Sequence, residues 1–286
     1  MIRLIFTTML LFQLGADVKP PELRIHASPD LAATRTRLES PGVAGLADVV
    51  RLVGLRDPGS PVRVELANES SEWARMTAPW IAGFARGEEG QIVILPSRSP
   101  DYPHATLDDV LRHEVAHVLI YRASGGQPVP RWFNEGVALA AERQWRFGDQ
   151  TRLFYELLSG SRESLGALNR LFEGSQQDQA RAYLLAGALV RDLMDTHGET
   201  MGARILEKMR NGEPFEAAFL DVTGRSSAAA DSEFWNRHRV WTTWIPIVFS
   251  QEVLWMLITL LALLAIYRRR QRNAEMAKQW EEEGDD

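Results

Sequence analysis

Two histidines and a glutamate stand in HEVAH, residues 113–117, inside the apolar helical stretch LDDVLRHEVAHVLIY. The chain has six histidines in 286 residues, so two of them four positions apart concentrate ligand chemistry beyond what composition supplies. On a helix, residues i and i+4 project from the same face. That spacing lets the imidazoles of His113 and His117 reach one zinc ion at about 2.0–2.1 Å, with Glu114 turned to the side, toward a water that such an ion would activate. The plain alternative is a pair of histidines that are merely packed or exposed on a helix. A hydrolytic zinc site needs a third protein ligand and an open fourth position, so the surrounding elements have to supply one.

The helix that presents these residues carries its own start and stop. Thr106 with Asp109 three residues on forms a capping-box pattern, and Gly125 and Gly126 offer the end. Upstream, ELRIHAS reads as a strand, PDLAATRTRLES as a helix and PVRVELA as a half-buried strand with alternating apolar residues. SSEWARMTA is a short helix, and WIAGFARGEEGQIVILPSR a hairpin turning over Gly87–Gly90. Most of the remainder to residue 240 is helical. The pattern predicts an α+β fold, a small and mostly antiparallel sheet followed by a helical zinc-binding half.

A histidine at position 123 would complete the metzincin pattern, but Ile120 and Ala123 stand where its glycine and histidine belong. Downstream lies PVPRWFNEGVALAAE, in which Pro130 can open a second helix with Glu135 in its first turns, 18 residues after His117. With HEVAH and NEG in this order, residues 60–210 resemble the gluzincin zinc metallopeptidases, in particular the small peptidase MA-like domains. The resemblance implies His113, His117 and Glu135 as ligands of one zinc ion per chain, and Glu114 as general base. It also implies a sheet edge, here one arm of the 80–95 hairpin, that pairs with an extended substrate, and an oxyanion donor from a later helix. Tyr183 is the candidate donor and His197 its alternative; a tyrosine packed on the helical core is the plain reading. Glu142 is the reserve ligand. Thermolysin-like enzymes carry an aspartate four residues after the glutamate ligand, which holds a histidine; Leu139 stands there, leaving Asn134, Glu142 and Asp109 as substitutes. Arg131 and Trp132 are either a substrate subsite or an exposed arginine beside a core tryptophan.

Composition removes other classes. A net charge of −6 with one short basic run argues against nucleic-acid binding, and the absence of cysteine excludes thiolate ligands and a thiol nucleophile. Residues 1–16 read as a secretory signal peptide, one arginine before a short apolar run. From Ile245 to Ile266 the sequence is about 22 residues of mostly apolar character, ~33 Å as helix, followed by Arg268, Arg269, Arg270 and Arg272. This predicts a single transmembrane helix over 244–267, an N-terminal α/β part over 22–100, a helical zinc-binding part over 101–240 and a cytoplasmic tail over 268–286. Glu252 inside the span would lie near its outer third or face a membrane-protein partner. The expectation is a zinc metallopeptidase in the cell membrane, its catalytic domain on the periplasmic side, cleaving protein or peptide substrates. The alternatives are a protease-like scaffold that binds an envelope partner without hydrolysis, and zinc hydrolysis of a non-peptide substrate.

Overall fold

The computed structural model describes residues 18–39, 45–99, 104, 106–142, 147–158, 163–248 and 251–283; the signal-peptide reading over residues 1–16 lies outside them. Two compact units emerge, one of Met1–Phe154 with Glu163–Phe234 and one of Tyr155–Arg162 with Trp235–Asp286.

The first unit opens with β1 (Leu23–Ala27), α1 (Ala32–Glu39), α2 (Leu46–Leu52), β2 (Val62–Leu66), α3 (Glu72–Met76), β3 (Gly83–Arg86) and β4 (Gln91–Ile94). The strands form one sheet in the order β1-β2-β4-β3. β1 and β4 each run parallel to β2, and only β3 and β4 are antiparallel. The expectation of a mostly antiparallel sheet is therefore corrected, and the connections explain why. α1 and α2 fill the link from β1 to β2, and a crossover carrying helices returns the chain in the same direction, whereas the four-residue turn over Gly87–Gly90 can only reverse it. The α+β character stands.

Helices follow: α4 (Leu107–Ala123), α5 (Arg131–Ala141), α6 (Phe147–Leu158), α7 (Leu165–Leu171), α8 (Gln176–His197), α9 (Met201–Arg210), α10 (Phe215–Thr223) and α11 (Ser227–Val248). α4 is the centre of the unit, packed on β3, β4, α2, α5 and α9. Val110, Leu111, Val115, Val118 and Leu119 of α4 are fully buried, as are Val62, Val64, Ile92 and Ile94 of the sheet. α5 lies against α8 so closely that a Cβ on Gly136 would stand 2.3 Å from Val190 Cγ2 and 2.6 Å from the Ala186 carbonyl oxygen. Only glycine fits there. On its other side α5 buries Trp132 and Phe133, whose rings pack edge-on with each other and with Phe215 of α10 at centroid distances of 5.1–6.0 Å.

Beyond α11, the helix α12 (Gln251–Glu283) overturns the membrane-span expectation. Between Glu252 and Arg268 the apolar part of α12 is about 15 residues, ~22 Å, against a ~30 Å hydrocarbon core. Among the described residues no helix is long and apolar enough to cross a membrane. The transmembrane helix over 244–267, the cytoplasmic tail and the single-pass cell-membrane placement are corrected accordingly.

Candidate metal centre

α4 is fixed at both ends by local chemistry. The Thr106 hydroxyl accepts from the Asp109 N–H at 3.1 Å while the Asp109 carboxylate accepts from the Thr106 N–H at 3.0 Å, satisfying donors that a helix start leaves free. At the other end the Gly126 N–H, on a residue at φ +77°, closes on the Tyr121 carbonyl at 2.9 Å. Between these caps His113 and Glu114 are buried at 2% and 4% exposure, and His117 is partly buried on the turn above.

Glu135, the fifth residue of α5, brings its Oε2 to 3.2 Å from His113 Nε2 and 3.4 Å from His117 Nε2. The three groups offer one nitrogen or oxygen each, all within 4.8 Å of one another, and this buried cluster could hold a metal ion. The other ring nitrogens show which lone pairs face inward. His113 Nδ1 lies 2.8 Å from Glu142 Oε1 and His117 Nδ1 lies 2.9 Å from Asn134 Oδ1. A carboxylate or amide oxygen only accepts, so each ring can donate from Nδ1, and a neutral ring that does so has its Nε2 lone pair for the cluster; His113 Nε2 also lies within hydrogen-bond distance of Glu135 Oε2, at 3.2 Å. With Nδ1 of each ring engaged in this way, the two Nε2 atoms and the Glu135 carboxylate form a donor set that a cation would fit.

Charge in the pocket points the same way. Burial works against charging the His113 ring, but the Glu135 and Glu142 carboxylates outweigh it and hold its pKa well above the usual histidine range. For Glu135, burial pushes the carboxyl up, yet the neighbouring imidazoles of His117 and His113 leave it far below the ordinary carboxylate value. Carboxylates that draw protons onto these rings will equally favour a cation between them.

Glu114 is the exception. Its Oε2 is buried without a hydrogen-bond partner, and burial raises its pKa against the pull of both histidines. Its side chain fits under the strand beside it: a Cβ on Gly83 of β3 would stand 3.1 Å from Glu114 Cγ and 3.2 Å from its Oε1. Tyr183 on α8 sets its ring edge-on to His113 at 6.2 Å and to Phe172 at 5.3 Å; burial, with Glu135 and Glu114 nearby, pushes its phenol up. His197 is the last residue of the same helix, about 21 Å along the axis from Tyr183, and is not brought to the cluster.

The three substitutes for the missing aspartate now separate. Glu142 serves His113, Asn134 serves His117, and Asp109 serves the helix cap. Arg131 reaches Glu135 Oε1 at 3.8 Å and covers the Phe172 ring at 4.7 Å, while Trp132 belongs to the aromatic core. Two contributors escaped the sequence reading. Gly83 carries no signal beyond its place at a strand start. His104, whose Nδ1 lies 3.0 Å from Glu142 Oε1, sits in irregular chain where no periodicity marks it; only its position two residues before the Thr106 cap hints at the site. No family model matches this chain, and no curated protein does either, so the likeness to the gluzincins rests on the HEVAH and NEG residues themselves.

Proposed function

We propose that the protein is a zinc-dependent metallopeptidase, in which His113, His117 and Glu135 hold the ion and Glu114 moves the proton. The observation that carries this reading is the spacing of Glu135 Oε2 from the two Nε2 atoms, 3.2 and 3.4 Å. Ligand atoms bound at 2.0–2.1 Å around a tetrahedral ion stand about 3.3 Å apart, so two edges of such a triangle already have that length. When bound, zinc supplies a Lewis acid that polarises a carbonyl and acidifies water.

The chain's own residues do the rest. Glu114, with a buried carboxylate oxygen that nothing else engages, takes the proton from the attacking water and returns it to the leaving amine, as a general base and then acid. Its raised pKa suits both halves of that task. Tyr183, kept protonated by burial, is the donor for the oxyanion of the tetrahedral intermediate. β3 ends the sheet and, among the described residues, pairs with β4 alone. An extended peptide added to that free edge would lie beside Glu114, because a Cβ on Gly83 of the same strand would stand 3.1 Å from the Glu114 Cγ.

The test is metal content and peptide cleavage by the purified full chain. About one zinc per chain is expected, lost in Glu135→Ala. Glu114→Gln should keep the metal while cleavage of a mixed peptide library, read by mass spectrometry, falls about 10²–10⁴-fold. A metal-free chain that refuses zinc, or a Glu114→Gln variant that cleaves as well as the parent, would overturn the reading.

A further inference from the structure

Glu142 Oε1 accepts from two rings at once, His113 Nδ1 at 2.8 Å and His104 Nδ1 at 3.0 Å. The two imidazoles meet edge-on with centroids 4.6 Å apart, and the His104 and Glu142 side chains are only 11% and 10% exposed. Glu142 caps the C-terminal end of α5, where the helix dipole opposes a negative charge and burial adds to the cost. A carboxylate kept there needs donors from elsewhere, and one from His113 alone would leave the pair free to pivot together. The second donor comes from outside α4 and α5, and it fixes the carboxylate against a different part of the chain.

His104, His113 and Glu142 also stand close enough to hold an ion themselves. A neutral imidazole has a single lone-pair nitrogen, so His113 can ligate through Nε2 or through Nδ1, not both. The contacts to Glu142, at 2.8 and 3.0 Å, have hydrogen-bond length, as does His113 Nε2 to Glu135 Oε2 at 3.2 Å, but that Glu135 oxygen also faces His117 Nε2 at 3.4 Å, and the reading given above puts the ion on that side. We propose that His104 is a positioning residue for the metal centre: it holds Glu142, which in turn holds the His113 ring with Nε2 toward Glu135 and His117. This rests on His113 being a metal ligand, the reading given above.

The test is zinc affinity, measured by competition with a chromogenic chelator, for the full chain and four variants. His104→Ala should bind about 10-fold more weakly, the lower end of what outer partners of ligating histidines contribute. His104→Gln, whose amide keeps a donor, should stay within about threefold of the parent by the same logic. Glu142→Ala should lose about 10–100-fold, and adding His104→Ala to it should change nothing further. Thermal denaturation of the metal-free forms separates these losses from unfolding, and His104→Gln retains the test if the alanine variant fails to fold. Unchanged affinity in His104→Ala overturns the proposal, as does a loss that persists in full on the Glu142→Ala background. Two ions per parent chain, falling to one in His104→Ala, would make His104 a ligand instead. A parent chain that binds zinc but cleaves nothing defeats the peptidase reading and leaves this inference standing or falling on the affinities.

Discussion

Two buried charges in the same unit are treated in opposite ways. Arg98, in the turn after β4, is 8% exposed at its side chain and uses every donor of its guanidinium. Its Nε and one Nη grip the two oxygens of Glu69 at 2.9 Å, and the Nη groups also reach Thr77 Oγ1 and the carbonyls of Ala74 and Ala78 at 2.9–3.0 Å. Glu114, on α4, is buried with an oxygen that has no partner. The environment shifts the two carboxyls in opposite directions: the Arg98 hydrogen bond draws Glu69 down to about 2, while burial pushes Glu114 up. A charge buried for architecture is fully satisfied, because an unmet donor or acceptor costs about 1–3 kcal/mol. A charge buried and left unmet marks a place where something outside the chain completes the set.

The largest effect should come from breaking the satisfied knot. Arg98→Met removes the guanidinium donors from the carbonyls of Ala74 and Ala78, the latter keeping only the Ile81 N–H, and frees the segment leading into β3. Removing one partner of such a buried, hydrogen-bonded charge destabilises by about 3–5 kcal/mol, and with Glu69 half exposed the lower figure applies. Urea denaturation of the metal-free chain measures it. A loss under about 1 kcal/mol would mean that Arg98 is a surface ion pair like any other.

The orphan should respond with the opposite sign. Glu114→Met keeps the length of the side chain and removes a buried acceptor that has no donor, so the metal-free chain should gain about 1–3 kcal/mol while losing cleavage. Destabilisation of the size seen for ordinary core substitutions would show that Glu114 is a structural residue, and the contrast with Arg98 would collapse.

The sequence announced these features unequally, for physical reasons. The α4 cap and the shared face of His113 and His117 depend on contacts within one turn, so Thr106, Asp109 and the four-residue spacing were readable. The roles of Asn134, Glu142 and Asp109 were not separable, because they depend on how α5 is rotated against α4. That rotation is set by distant contacts such as Gly136 against Val190. The parallel pairing of β1 with β2 is likewise a long-range fact, invisible to strand periodicity. The membrane span differs for another reason: with Gln251 and Glu252 inside the apolar run, only about 15 residues, ~22 Å of helix, lie between Glu252 and Arg268.

The smallest effect tests the knot through acid. Glu69 has its carboxyl lowered from 4.5 to about 2, first by the Arg98 hydrogen bond and then by the Ser97 hydroxyl. A carboxyl whose folded pKa is depressed contributes stability that is complete above its unfolded value and is lost as pH falls through the folded one. Stability should therefore decline between pH 4.5 and about 2 partly on account of Glu69. Asp30, Asp178, Glu135 and Glu142 are also lowered and share the acid response of the parent chain. The comparison of Arg98→Met with the parent isolates the Glu69 share, since Asp30 and Asp178 take their shifts from Ser28 and Ser175 and keep them in the variant. The difference in stability between the two chains should shrink as pH is lowered through that window. A difference that stays constant from pH 6 to pH 2 would mean that Arg98 acts through the carbonyls of Ala74 and Ala78 alone, with Glu69 a bystander at the surface.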